Sequence, residues 1–552
     1  MFLVGNELVG FFSYTHLMRD KETTVKRESA LAPFKYPIFK MMWIASVMST
    51  IGTWMQDVGA AWLMTTLTKD PLMVASVQAM TALSMFFLAL PAGALADILD
   101  RRRYLIVLQT GLMITAGIIA FITYLGIITP SLLLLMTFCM GAGAALSFSA
   151  WITLMTELVP TKHLTASVTL TGVSINISRA IGPALAGFII AASGSWAVFA
   201  LNSLSFFGII IVLKRWKTQA NESPLPAERL YGAMKAGLRY VRGSPPFQIL
   251  LIKGTAFFVF ASAVWALLPL IVRMKLLAGP IDYGFILAAM GIGAVLGAMI
   301  LPTLRERFNC DEIILGGAIG FSFTTLVLAL SNSFYISCGV MLIGGMSWIS
   351  VVSTLITLVQ RVVSGWVKAR AISIFFAVFF GGMAVGSFFW GWVATELSIS
   401  ISLFLAGLGL LFFNILTYIF ISGNNLILDH TPSHHMPAPV VEEAPKFHEG
   451  PVMVMVEYQI EPHNIVNFTK ALQDLRRIRY RDGAFFWSLF KDIETPDKFV
   501  TCFMVESWIE HLRQHERISN SDKEIIEKVS SFHIGKEPPK ITHFVAQNVK
   551  RK

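Results

Sequence analysis

Twelve apolar stretches follow one another between residues 38 and 421. They fall near 38–66, 71–96, 104–126, 130–157, 164–192, 195–214, 247–272, 281–304, 311–330, 334–360, 366–394 and 398–421. A helix needs about 20 apolar residues to cross a bilayer, and each stretch meets or approaches that length. The interruptions are short and carry the Pro, Gly, Asp and Arg residues that stop and start helices. The pattern predicts an all-α polytopic membrane protein, with 12 transmembrane helices in two six-helix halves. After residue 421 the pattern changes. Residues 452–460 alternate like a strand, 462–480 have helical periodicity, 485–491 and 498–508 read as strands, and 521–532 as a helix. These elements predict a small C-terminal α+β domain on an antiparallel sheet.

The expected division is therefore a cytoplasmic N-terminal segment (1–36), a six-helix bundle (37–214), a central cytoplasmic loop (215–246), a second bundle (247–421), a linker (422–450) and a cytosolic domain (451–546). In the central loop, Leu230, Met234, Leu238 and Val241 share one helical face. Arg229, Lys235, Arg239 and Arg242 lie elsewhere on the wheel. That is the pattern of an amphipathic helix lying on the inner membrane surface.

Composition supports the bilayer as solvent. Of 552 residues 55% are hydrophobic and 14% charged, and the mean hydropathy is +0.64. Soluble domains carry about 25% charged residues. The net charge of +10 is not a nucleic-acid signature, because residues 451–546 hold 13 basic and 14 acidic residues. The basic excess lies in the membrane part. One set of loops holds sixteen Lys and Arg, the opposite set only Lys69, Arg273 and Lys275. Positive charge accumulates in the cytoplasm, so both termini are expected there. Residues 1–18 lack a basic start and include Glu7, which makes a poor signal peptide. Met18 is the expected natural start. The four cysteines show no metal or disulfide spacing. His430, His434, His435 and His448 lie among prolines and read as linker.

Charges inside the spans are the sharpest local signal, since they are costly in hydrocarbon and usually functional. Asp57 lies in the first span and Arg179 in the fifth, about one helical turn apart in depth. Polar Gln56, Gln78, Asn202 and Asn414, with Trp54, Trp62 and Trp265, are candidates for a mixed polar and aromatic cavity. Gln56, Gln78 and Asn202 are the leading substrate-binding candidates.

Three stretches carry a resemblance. The loop after the second span holds Gly93, Leu95, Asp97, Arg101, Arg102 and Arg103. It resembles the glycine, aspartate and arginine signature of the major facilitator superfamily, with Ile98 and Asp100 as departures. The fifth span holds Asn176, Arg179, Gly182, Pro183, Ala186 and Gly187, similar to the helix-bending motif of facilitator antiporters. The tail holds Arg481, Asp482, Gly483, Trp487, Trp508, His511 and His515, and resembles the ferredoxin-like domain of antibiotic-biosynthesis monooxygenases. The chain as a whole resembles the transmembrane secretion effector branch of the superfamily, which includes enterobactin and macrolide exporters.

The resemblance implies a secondary transporter of the bacterial inner membrane that exports a small amphiphilic molecule by proton antiport and alternating access. It implies a conformational latch at Gly93, Asp97, Arg101 and Arg102, and a bend at Asn176, Gly182, Pro183 and Gly187. Asp57 and Arg179 are expected to pair and to separate as Asp57 takes a proton; a static pair is the alternative. Facilitator exporters carry an arginine four residues before the position of Gly141, where this chain has Thr137. A membrane-tethered enzyme acting through the tail is the competing function. No catalytic set is visible there, His511 and His515 show no evident third ligand, and neither metal nor cofactor is expected. The tail is also a candidate for ligand sensing or dimerisation.

Overall fold

The computed structural model describes residues 31–216, 230–364, 367–421, 445–446 and 448–547. It divides into two compact units. The first comprises 1–227, 251–358 and 375–422, the second 228–250, 359–374 and 423–552. The expected start at Met18 and the linker residues His430, His434 and His435 lie outside the described residues.

The first unit is built on twelve long helices. They are α1 (Pro37–Leu67), α2 (Pro71–Ile98), α3 (Arg101–Tyr124), α4 (Pro130–Glu157), α5 (Leu164–Ser193) and α6 (Ser195–Arg215). After α7, which belongs to the second unit, follow α8 (Pro245–Leu270), α9 (Pro280–Arg307), α10 (Cys310–Leu330), α11 (Phe334–Val362), α12 (Lys368–Glu396) and α13 (Ile399–Ile421). Their starts obey local chemistry. Asp70 accepts from Leu72 N at 3.0 Å ahead of Pro71, and Thr129 accepts from Leu132 N ahead of Pro130. Asp100 caps α3 by accepting from Arg103 N. Each cap satisfies a helix-end donor that has no other partner. Gly194, at φ +89°, makes the one-residue break between α5 and α6.

Eleven of these helices are long and apolar enough to cross a membrane. The exception is α1, which mixes Ser49, Thr53, Gln56 and Asp57 with its apolar residues. Many large side chains remain exposed on the bundle, among them Phe121, Leu204, Phe207, Phe412 and Phe420. Such a surface suits lipid. In the first half α1 packs against α5 and α6, α2 against α4, and α3 against α6; in the second half α10 packs against α13. The halves join where α5 runs against α9. An intramembrane charge that the sequence reading passed over, Lys253 on α8, donates to Asp311 at the start of α10 at 2.6 Å. That pairing offsets part of the desolvation cost of a 3% exposed ammonium.

In the second unit, α7 (Leu230–Gly243) is the central-loop helix. The tail runs β1 (Val452–Gln459), α14 (Ile465–Arg481), β2 (Phe486–Lys491), β3 (Lys498–Val505), α15 (Trp508–Arg517), α16 (Asn520–Ser530) and β4 (Lys540–Val545). The sheet is antiparallel in the order β2-β3-β1-β4, with Val454 opposite Phe503 and Val452 opposite Val545. This is the ferredoxin-like arrangement expected from the sequence. Two elements go beyond that expectation. Trp508 opens helix α15 rather than closing strand β3, and β4 follows the prolines at 538 and 539. Phe468, Leu472 and Leu475 of α14 meet Val456, Tyr458 and Phe499 of the sheet and Val529 of α16.

Helix α7 makes its protein contacts through Gly237, Tyr240 and Gly243, while Leu238, on the face expected to lie on the membrane, stays exposed. It packs on α14, and a β-carbon at Gly243 would come within 2.7 Å of Arg481 Cβ. The Arg481 guanidinium lies 5.9 Å from the centre of the Tyr240 ring. The Tyr240 hydroxyl donates to Val362 O and accepts from Ser364 N, both at 3.3 Å. The anchor is Arg481, buried and held by Asp482 at 2.8 Å and Asp522 at 2.7 Å. Burial alone would raise the Asp522 carboxyl, but Arg481 and Ser519 outweigh it and hold it below its ordinary range.

Replacing Asp522 with Ala leaves a buried guanidinium with one carboxylate fewer, a loss of about 3 kcal/mol for a broken buried pair. Amide hydrogen exchange in α14 and α16 of the full-length protein is expected to rise accordingly, with the membrane helices unchanged.

Candidate functional site: a polar cavity on the first helix

A cavity of about 260 Å³ lies inside the first unit. Helix α1 contributes the largest share of its wall, including Ser46, Ser49, Thr53, Trp54, Gln56 and Asp57. Gln78 of α2, Gln109 of α3, Thr137 and Trp151 of α4, and Trp265 and Tyr283 of the second half add to its polar and aromatic lining. The helix with the weakest membrane signal is thus the one that presents its polar side chains inward.

The substrate-binding candidates separate. Gln56 and Gln78 line the cavity. Asn202 lies behind the wall, fully buried, and donates through Nδ2 to Gln56 Oε1 at 2.8 Å. It therefore orients the Gln56 amide. Gly52 makes room for it, since a β-carbon there would lie 2.6 Å from Asn202 Oδ1. Asn414 and Trp62 also lie outside the lining. Asn414 donates to Leu410 O and Ala256 O. Trp62 stacks on Tyr283, with ring centroids 5.9 Å apart, and carries the Arg273 guanidinium on its ring.

Asp57 and Arg179 are not brought together as expected. Among the described residues no ion pair joins them. The Arg179 guanidinium instead lies 5.6 Å from the centre of the Trp54 ring, one turn before Asp57 on α1. Gly182 lets α5 approach so closely that a β-carbon there would meet Trp54 Cβ at 2.6 Å. The arginine one turn earlier on α5 then reaches the indole rather than the carboxylate, a favourable cation–π contact. Asp57 faces the cavity, and Tyr283 lies within its electrostatic range.

The fifth-span motif builds the contact between halves. Pro183 has no backbone donor for the carbonyl four residues back, that of Arg179. Gly291 of α9 meets this carbonyl, and a β-carbon there would lie 2.9 Å from the oxygen. A β-carbon at Gly187 would meet Pro280 O at 2.6 Å. Asn176 turns back to donate to Gly172 O at 3.0 Å. Of the latch residues, Gly93 and Asp97 lie on α2, and the Asp97 side chain falls outside what the structure describes. Arg101 pairs with Glu157 at the end of α4. Arg102 donates to Leu213 O and Lys214 O at 2.8 and 2.6 Å, closing the end of α6.

A family model for transmembrane secretion effectors matches residues 28–551. The chain belongs to the transmembrane secretion effector family. Enterobactin exporter EntS of Citrobacter koseri is 24% identical over 417 residues, which covers 74% of this chain and 96% of the exporter. EntS of Salmonella typhimurium is 23% identical over 386 residues, 69% of this chain and 91% of that protein. Staphyloferrin A transporter of Staphylococcus aureus is 21% identical over 307 residues, 55% of this chain and 77% of that one. Among solved structures, an inward-facing bacterial homologue of the human lysosomal transporter Spinster superposes with a TM-score of 0.56 at 12% identity, covering 70% of this chain and 96% of its own. A nucleoside transporter, NupG, gives 0.57 at 14%, covering 70% of this chain and 100% of its own. The structural likeness carries the fold, and the family match makes the protein a multi-pass membrane transporter of the facilitator type.

Within this family member, Gln109, Trp151 and Tyr283 are cavity residues that the sequence pattern did not single out. Gln109 had a usable signal, a glutamine within an otherwise apolar span. Thr137, at the position where the resemblance implies an arginine, lies in the cavity wall. Replacing Asn202 with Ala leaves Gln56 Oε1 buried without its donor, a cost of about 1–3 kcal/mol. The thermal midpoint of the detergent-purified protein is expected to fall. Adding Gln56→Leu is expected to recover part of the loss, because the stranded acceptor is removed as well.

Proposed function

We propose that the protein exports a small amphiphilic molecule, of the siderophore, macrolide or drug-like kind, from the cytoplasm of a bacterium across its inner membrane. Both termini lie in the cytoplasm in this proposal, which the excess of Lys and Arg in one set of loops supports. Transport is by alternating access, coupled to proton entry. The observation that carries this reading is the cavity with aromatic walls, three glutamines and one carboxylate. Trp54, Trp151, Trp265 and Tyr283 suit a flat, partly apolar cargo, and the amides suit its polar edges. Matched relatives are named as an enterobactin exporter and a staphyloferrin A transporter, which supports a siderophore among the candidate cargoes.

Asp57 is the proton carrier in this proposal. It faces the cavity, where a carboxylate can exchange protons with water on whichever side is open. Arg179 is not its counter-ion. The arginine holds Trp54 in the wall and leaves the carboxylate free to respond to cargo and protons.

Two measurements test the proposal. Cells with and without the protein are compared for small molecules inside and outside, under iron limitation and under macrolide challenge. One compound retained only in the deletion strain is expected; no difference with the protein present in the membrane defeats export. In proteoliposomes, Asp57→Asn is expected to reduce proton-gradient-driven transport to background and to leave cargo exchange without a gradient intact. Full gradient-driven transport by the Asn variant would remove Asp57 from the coupling step.

A further inference from the structure

Folding of the tail brings a third histidine to a pair that lacks one in sequence. His511 and His515 lie one turn apart on α15, and His543 comes from the last strand, β4. One ring nitrogen from each lies within 4.8 Å of the other two. The rings are close, with centroids 4.8 Å apart for both His511–His515 and His511–His543. Trp508, itself buried, packs on His511 and His543. His511 is 2% exposed, and its Nδ1 has no hydrogen-bond partner among the described residues. Gln514 on the same helix is equally buried, with neither amide atom partnered among the described residues.

We propose that the tail domain binds one divalent transition-metal ion between His511, His515 and His543. Imidazole nitrogens bind zinc at about 2.0–2.1 Å in tetrahedral geometry, which sets the ligand atoms about 3.3 Å apart. The Nε2 atoms of His511 and His515 are 3.2 Å apart. The third nitrogen needs at most a contraction of about 1.5 Å to reach that edge length. Neutral imidazole is the form that ligates.

The donor set selects the class of ion. Three neutral nitrogens suit zinc, copper, nickel or iron rather than calcium or magnesium, which take oxygen ligands. Arg479 disfavours any cation nearby, so affinity is weaker than at a site with a carboxylate. Three protein ligands leave a fourth position for water or another small ligand. The ion ties the C-terminal strand to α15. The opposite face of that helix carries Glu510, Arg513 and Arg517, and these lie within electrostatic range of Arg370 in the 359–374 segment.

The test uses the full-length protein in detergent, without a polyhistidine tag, stripped by a chelator and then titrated with cobalt(II). Wild type is expected to bind one equivalent with the visible absorption of a tetrahedral nitrogen-ligated site, displaced by zinc. His511→Gln and His543→Gln are expected to lose that band and one equivalent of metal. His463→Gln, at an exposed site, and a His434→Gln/His435→Gln linker double variant retain both. His543→Cys guards against misfolding as the cause of loss. It is expected to bind cobalt with a new sulfur charge-transfer band in the near ultraviolet, which only a folded site gives. Zinc is expected to raise the thermal midpoint of wild type and not of His543→Gln. A wild type that takes up no tetrahedral cobalt, or a band that survives His543→Gln, overturns the proposal and leaves a metal-free hydrogen bond between His511 and His515.

Discussion

Helix α5 is held against α1 and α9 by contacts that leave no room for a side chain. Gly182 admits Trp54 on one side, and the Arg179 carbonyl meets Gly291 on the other. In lipid the apolar effect does not distinguish one helix neighbour from another, so close backbone approach decides who packs with whom. Pro183 sharpens this choice, because the carbonyl it leaves without a helical donor is the one that faces α9. The cavity follows from these contacts. They fix α1 against the first half and the two halves against each other, so that polar residues of α1 share the cavity wall with residues of α9.

That contact also explains why one pairing expected from the sequence does not form. Depth along two helices is readable from residue counts, and it places Asp57 and Arg179 within a turn of each other. The direction of a side chain is not readable that way. A close glycine contact three residues along turned the arginine onto Trp54 and left the aspartate facing the cavity.

Helix number and position were legible because each span writes its own signal in about 20 residues. The tail was legible where strand alternation and helix periodicity were strong, as in β1 and α14. It was not legible where an element is short and depends on a partner. Strand β4 has six residues and is defined by pairing with β1. His543 therefore lies nearly thirty residues from its histidine neighbours in sequence and beside them in space. Cavity residues divided in the same way. A glutamine in an apolar span announces itself, whereas Asn202 and Gln56 look alike until the fold shows that one serves the other.

The polarity of α1 bears on how the chain is made. This helix emerges from the ribosome ahead of α5 and α6, yet among the described long helices it is the one that falls short of apolar enough to cross alone. An aspartate near the centre of a span costs about 2.5–3.5 kcal/mol at insertion. The Asn202 amide that Gln56 bonds and the α5 surface that covers Trp54 are synthesised more than a hundred residues later. Secure residence of α1 in the bilayer must therefore wait for α5 and α6, and biogenesis of the first half becomes a concerted event rather than a helix-by-helix one. The inward-facing polarity of the mature wall is, during synthesis, a demand on the insertion machinery to hold the first helix until its partners arrive.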